Sequence, residues 1–224
     1  MKTEINQTTG EANMARRSFL RYAGASAATM AVMGMASCKK DRNVTNDGTD
    51  IGSGDIGILN YAYALEQLEA AFYLQVIATP YSNISTIETS YLTDIRDHEV
   101  IHRDFFKTAL GSSAIMGLTP DFSKINFSDR ASVLGAAKAF EDLGVRAYDG
   151  AGYLIQDVGY LALAGKIVSV EARHAALISN LITPGSFVGS DQVDASGLNY
   201  SNSISEVIAI ANGFLKTKIT ASNF

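Results

Sequence analysis

Two quartets constrain this chain more than anything else in it: Glu99-Val100-Ile101-His102 and Glu171-Ala172-Arg173-His174. They take up two of the three histidines in 224 residues. On a helix, residues three apart share a face, so each quartet aims a carboxylate and an imidazole at one point. Two such helices, each beside a neighbour that supplies one more Glu, make a four-helix bundle with a two-ion centre in its interior. The chain carries that extra Glu twice. Glu66 precedes Glu99 by 33 positions, and Glu141 precedes Glu171 by 30. Seven residues after each comes a tyrosine, Tyr73 and Tyr148. The order Glu, Glu-x-x-His, Glu, Glu-x-x-His thus runs through both halves with similar spacing. Glu69, one turn beyond Glu66, competes with it for the first position.

The apolar period supports helices over 58–78, about 85–110, 128–148 and 160–182, each roughly 30 Å long. Their stops are Thr79-Pro80, Gly111-Ser112-Ser113, the loosening run Asp149-Gly150-Ala151-Gly152, and Thr183-Pro184-Gly185. Ser85 with Glu88 forms a predicted capping box, and so does Ser203 with Glu206. The second opens a short helix to about Leu215. Its stripe of Ile204, Val207, Ile208, Ile210, Ala211 and Phe214 is expected to pack on the bundle. No run alternates with period two over a useful length. The expected class is all-α: an antiparallel four-helix bundle with a short additional C-terminal helix.

The first 37 residues read as an export signal rather than fold. Arg16-Arg17-Ser18-Phe19-Leu20 is a twin-arginine signature. The modestly apolar stretch from Tyr22 to Met35 is too short and too rich in Gly and Ala for a membrane span. It ends in Met35-Ala36-Ser37-Cys38, which resembles a lipoprotein processing box and makes Cys38, the one cysteine, a lipidated N-terminus. The expectation is a membrane-anchored lipoprotein of the bacterial cell envelope. Residues 38–57 read as a flexible tether, 58–184 as the bundle and 185–224 as a C-terminal extension. Twin-arginine signals resemble those of a route that exports folded proteins, which suits a metal site loaded during folding.

Without residues 1–37, Lys plus Arg falls from 18 to 14 and Asp plus Glu from 23 to 21, a net charge of −7. That balance argues against a nucleic-acid partner, which demands basic surface. With one cysteine there is neither a disulfide nor a thiolate cluster. Glu and His are the donors left. Carboxylates are hard oxygen ligands that bridge ions, and imidazole suits iron, manganese or zinc. Four Glu balance two divalent ions and leave both His neutral.

The segments Tyr63–Tyr73, Asp97–His102, Phe140–Gly150 and Val170–Ala176 resemble the ferritin-like domain family that includes desiccation-related proteins. The likeness covers roughly 58–184. It implies a ferritin-like bundle, with Glu66, Glu99, His102, Glu141, Glu171 and His174 as ligands to two Fe or Mn ions, Zn being a further option. Tyr73, Tyr148 and Glu69 would stand just outside the ligand shell. The expected partners are metal ions, dioxygen or peroxide, and the membrane through Cys38; a homo-oligomer is compatible with all of this.

Five further polar residues need a place. His98 sits one residue before Glu99, about 100° round the helix, and is expected at the surface or behind a ligand. Asp94 and Asp97 are expected to face solvent. Arg173 either pairs with a carboxylate or reaches outward. Asp149 is a substitute for Glu141. Two readings of function follow. One is a redox protein that oxidises Fe(II) or consumes peroxide. The other is a non-catalytic envelope protein, protective under stress or drying, with a structural or vestigial metal site. A plain helical binding module without metal is a third.

Overall fold

The computed structural model describes residues 48–224. The signature at Arg16 and Arg17, the lipidation site Cys38 and the tether residues 38–47 lie outside that range. Four long helices dominate: α1 (Gly54–Ala78), α2 (Thr86–Leu110), α3 (Arg130–Ala151) and α4 (Val158–Ile182). A fifth, α5 (Ile204–Ala211), follows the bundle. Strands β1 (Thr49–Asp50) and β2 (Ile219–Thr220) pair in parallel. The protein is all-α in class, with a C-terminal helix added to a bundle. Among the described residues no helix is long and apolar enough to cross a membrane.

Hydrogen bonds at the helix ends fix the directions. Arg130, at the start of α3, donates to Glu88 Oε1 at the start of α2 (2.8 Å from Nε) and to the Leu181 carbonyl at the end of α4 (2.7 Å). Asp55, at the start of α1, accepts from the backbone N–H groups of Gln156 and Asp157 at the corner between α3 and α4 (2.9 and 2.8 Å). So α2 and α3 run the same way, and α1 and α4 run against them. Residues 111–129 must therefore travel the length of the bundle. The C-terminal segment straps part of that crossover, with Asp121 N–H on the Phe214 carbonyl (2.7 Å) and Lys216 N–H on that of Thr119 (2.8 Å).

Helix α1 is buried on every side at its start; residues Gly57 to Glu66 are all interior. A helix apolar all round belongs in a core. Here neighbouring helices surround it, and the Phe224 ring closes on Gly57. Phe72 nucleates an aromatic cluster with Tyr73 and Phe140, ring centroids 5.0 Å away in each case. Phe214 extends it at 4.8 Å from Phe140.

Several boundaries differ from the sequence reading. The bundle begins at Gly54, because Asp55 ties the first turn to the far corner. The end of the expected tether is structured: residues 49–50 form β1, whose Asp50 accepts from the Ser222 hydroxyl at 2.5 Å. Gly150 does not loosen α3. A Cβ there would meet the Asn202 carbonyl oxygen at 1.8 Å, so its bare backbone lets the C-terminal segment cross the helix. Ser85 caps α2 through Glu88 N–H (3.1 Å), but the Glu88 side chain turns to Arg130 and Tyr81 instead of closing the box. The Ser203–Glu206 box is complete. In α5 the residues Ile204, Val207, Ile208 and Ala211 are buried, whereas Ile210 is exposed. With eight residues in the helix, the inward stripe covers little more than one face.

Candidate metal centre

All six expected ligand residues converge in the bundle interior. Glu66 comes from α1, Glu99 and His102 from α2, Glu141 from α3, and Glu171 and His174 from α4. The four carboxylates are 0 % exposed. Their donor atoms fall into two sets, each within 4.8 Å overall. One is Glu66, Glu99, His102 and Glu171; the other is Glu99, Glu141, Glu171 and His174. Glu99 and Glu171 belong to both. His102 Nδ1 lies 3.0 Å from Glu171 Oε1 and 3.4 Å from Glu66 Oε2. His174 Nδ1 lies 2.8 Å from Glu99 Oε1 and 3.3 Å from Glu141 Oε2.

The unequal spacings of 33 and 30 are absorbed outside the site. Helix α1 continues twelve residues past Glu66 but α3 only ten past Glu141, and the connection that follows has seven residues in the first half and six in the second.

Buried polar atoms normally have partners. Here Glu66 Oε2, Glu141 Oε2, both oxygens of Glu99 and of Glu171, and the Nδ1 atoms of both His are buried without hydrogen bonds. All eight atoms belong to residues of the two sets. Clustering four carboxylates in a low-dielectric core is costly unless cations compensate. Two divalent ions would neutralise four carboxylates and take up the orphaned lone pairs, so the donor set fits such a pair.

The remaining oxygens are held by tyrosines across the bundle. Tyr73 on α1 donates to Glu141 Oε1 at 2.5 Å, and Tyr148 on α3 donates to Glu66 Oε1. The antiparallel run of α1 and α3 makes the pairing reciprocal, which the matched seven-residue spacings foreshadow. Each phenol leaves the other oxygen of its carboxylate free to face the centre.

Burial pushes the Glu66 carboxyl up to about 7, against the opposing pull of His102. It also raises Glu141, and it holds Glu171 well above the ordinary carboxylate range, with Glu99 adding to the effect there. Burial would raise Glu99 too, but His102 and His174 outweigh it and draw that group down to about 2. Burial alone would lower the imidazoles. Contact with Glu171, Glu66 and Glu99 instead lifts His102 to about 12, and Glu141 and Glu99 lift His174 to about 10. Without metal, protons do the work of cations.

Glu69 is buried but belongs to neither set, so Glu66 is the α1 carboxylate at the centre. Glu69 lies beside Glu171, and the gap they share is at Gly144. A Cβ on Gly144 would stand 3.1 Å from an oxygen of each. Sequence reasoning missed Gly144, although a mid-helix glycine three residues after Glu141 is on the ligand face. Asp149 is exposed and accepts from Asn199 Nδ2 (3.0 Å); it takes no part in the centre. Asp94, Asp97 and Arg173 are exposed as well.

His98 is exposed yet reaches the site from behind. Its Nδ1 is 2.9 Å from His174 Nε2, and the two rings stack within 9° of parallel. With Nδ1 turned to the carboxylates and the His174 ring carrying both protons, its Nε2–H donates to His98 Nδ1. Burial and the two neighbouring His hold His98 below its ordinary pKa, which keeps the acceptor lone pair available. Such outer partners orient a ligand imidazole. We expect His98→Ala to weaken Mn(II) binding about tenfold with helicity unchanged, and His98→Asn to recover part of the loss. Calorimetric titration checks both; equal affinity in His98→Ala would dismiss the role.

A profile of the ferritin-like domain matches residues 54–184, from the first residue of α1 to just past α4. The chain belongs to the ferritin-like domain family. Comparison with curated proteins returns no match.

Proposed function

We propose that this protein holds two iron or manganese ions and uses them to oxidise Fe(II) or consume peroxide in the cell envelope. The reading rests on one observation above all: two four-residue donor sets that share Glu99 and Glu171. Redox-active ions held there would supply electron exchange with dioxygen or peroxide. The chain's own residues would do the rest. Glu99 and Glu171 would hold both positions together, while Glu66 with His102 and Glu141 with His174 would complete one each. Tyr73 and Tyr148 fix the outward oxygens of Glu141 and Glu66, so the donor geometry is set before a metal arrives. The buried phenols also favour oxygen chemistry over a purely structural ion, because a tyrosine bonded to a ligand can pass an electron and a proton.

Elemental analysis of protein from its own host, followed by anaerobic Fe(II) loading and exposure to air or peroxide, tests the proposal. We expect two ions per chain and stoichiometric oxidation seen as ultraviolet absorbance. Bound metal without turnover would favour the stress-protective, non-catalytic reading in the manner of desiccation-related proteins. Protein that retains no ion would remove both.

The location is part of the same proposal. Arg16-Arg17 supports twin-arginine export and Cys38 a lipid anchor. Cys38→Ser is expected to move the protein from membrane to soluble fractions; retention on membranes would dismiss the anchor.

A further inference from the structure

The two donor sets are alike in composition, but the side chains behind them are not. The halves of the chain place matching residues in the same order: Glu66 and Glu141, Tyr73 and Tyr148, Glu99 and Glu171, His102 and His174. The tyrosine contacts are reciprocal, so they favour neither position. Glu69 lies beside Glu171, which both sets share, and does not separate them either. His98 breaks the match. It stands one residue before Glu99, whereas the residue one before Glu171 is Val170. A valine side chain accepts no hydrogen bond.

The difference falls on one imidazole. His174 Nε2 lies 2.9 Å from His98 Nδ1, with the two rings 9° from parallel. An ion on His174 Nδ1 leaves the Nε2 proton in place, so this contact outlasts metal binding. It fixes the tautomer and the plane of the ring, and an accepting partner makes Nδ1 a better donor to a cation. His102 also turns Nδ1 to the carboxylates. Its Nε2, however, has no hydrogen-bond partner among the described residues, so that ring is held from the carboxylate side alone.

We propose that the two positions are unequal. The one built from Glu99, Glu141, Glu171 and His174 fills first and keeps its ion. The one built from Glu66, Glu99, Glu171 and His102 fills second and exchanges. His98 is the positioning residue that sets this order. An outer partner of a ligand imidazole is worth about 10- to 100-fold in affinity, and one of the two rings has it. The inequality rests on the reading of a two-ion centre, but not on what the ions then do. Where Fe(II) is the substrate, the Glu66–His102 position is the one it enters and leaves.

Anaerobic Mn(II) titration of the full chain, read by calorimetry and by the spin-resonance signal of the free ion, tests the order. The first ion is expected to bind about tenfold or more tighter than the second. Glu66→Ala and Glu141→Ala each remove one unshared carboxylate and leave one position whole, so they compare like with like. The single ion of Glu66→Ala should bind about tenfold or more tighter than that of Glu141→Ala. His98→Ala added to Glu66→Ala should erase that advantage, and His98→Asn should restore part of it. His98→Ala added to Glu141→Ala should change nothing. Equal constants in the two single variants, or the reverse order, would overturn the inequality. Equal losses from His98→Ala in both backgrounds would mean that His98 merely supports α2, and would overturn its part in the order. Two ions of equal affinity in the native chain would leave the two-ion centre standing and the order fallen; a chain that takes up no ion would remove both.

Discussion

Replacing either shared carboxylate should empty the centre of both ions, whereas replacing an unshared one should empty half of it. Glu99 and Glu171 stand in both donor sets. Without Glu99, the first position keeps Glu66, His102 and Glu171, and the second keeps Glu141, Glu171 and His174. Each position is left with three donors and Glu171 is the one link between them, so two cations would face one another with less charge between them. Glu99→Ala and Glu171→Ala are therefore expected to bind no Mn(II) at concentrations that saturate the native chain with two. Glu66→Ala leaves the second set whole and should bind one. Metal analysis after gel filtration reads the difference, and circular dichroism verifies the helices. Two ions of unchanged affinity in Glu99→Ala would sink the bridging assignment.

Neutralising a shared carboxylate should act oppositely on the empty protein. Buried carboxylates that repel one another are a burden until a cation arrives. Metal-free Glu171→Gln, which keeps shape and loses the charge, is expected to melt above the metal-free native chain. In the presence of metal the order should reverse, because an ion that binds only the folded state stabilises it by mass action. A centre that holds ions in this way would trade stability for binding, as functional sites often do.

How much of this was legible in the sequence depends on how local each signal is. The quartets, the two lone Glu and the paired tyrosines were readable, because helical spacing alone puts Glu99 with His102 and Glu171 with His174 on common faces. The Ser203–Glu206 box was readable for the same reason. Readings that needed a remote partner went astray. Ser85 and Glu88 have capping-box spacing, but Arg130, 42 residues away, draws the carboxylate off. Gly150 looked like a helix terminus, yet its role is set by Asn202 on another segment. The chain near Asp50 looked like tether because its strand partner is almost at the opposite terminus. His98 could be placed on its own helix but not against His174, since nothing local specifies the angle at which α2 and α4 meet. The choice between Glu66 and Glu69 likewise needed the other three helices.

Metal affinity should climb steeply with pH, and the sign follows from the protons held by the empty site. A metal ligand must be deprotonated to bind. His102 and His174 are lifted to about 12 and about 10 by the carboxylates around them, so both carry a proton at neutral pH in the absence of metal. Filling the two positions expels both protons. Glu99, drawn down to about 2, is already ionised and releases none. Glu66 adds its share below about pH 7, where it is protonated. Between pH 7 and pH 10, at least two protons leave for every pair of ions. The product of the two binding constants should then rise about a hundredfold or more per pH unit. Below pH 7 the slope should steepen as Glu66 joins, and above pH 10 it should flatten as His174 loses its proton unaided. Anaerobic Mn(II) titrations in buffers of different ionisation enthalpy count the protons directly. Release of none at pH 7.5 would mean that the imidazoles of the empty site are neutral, and that the close contacts of His102 with Glu171 and of His174 with Glu99 are not ion pairs.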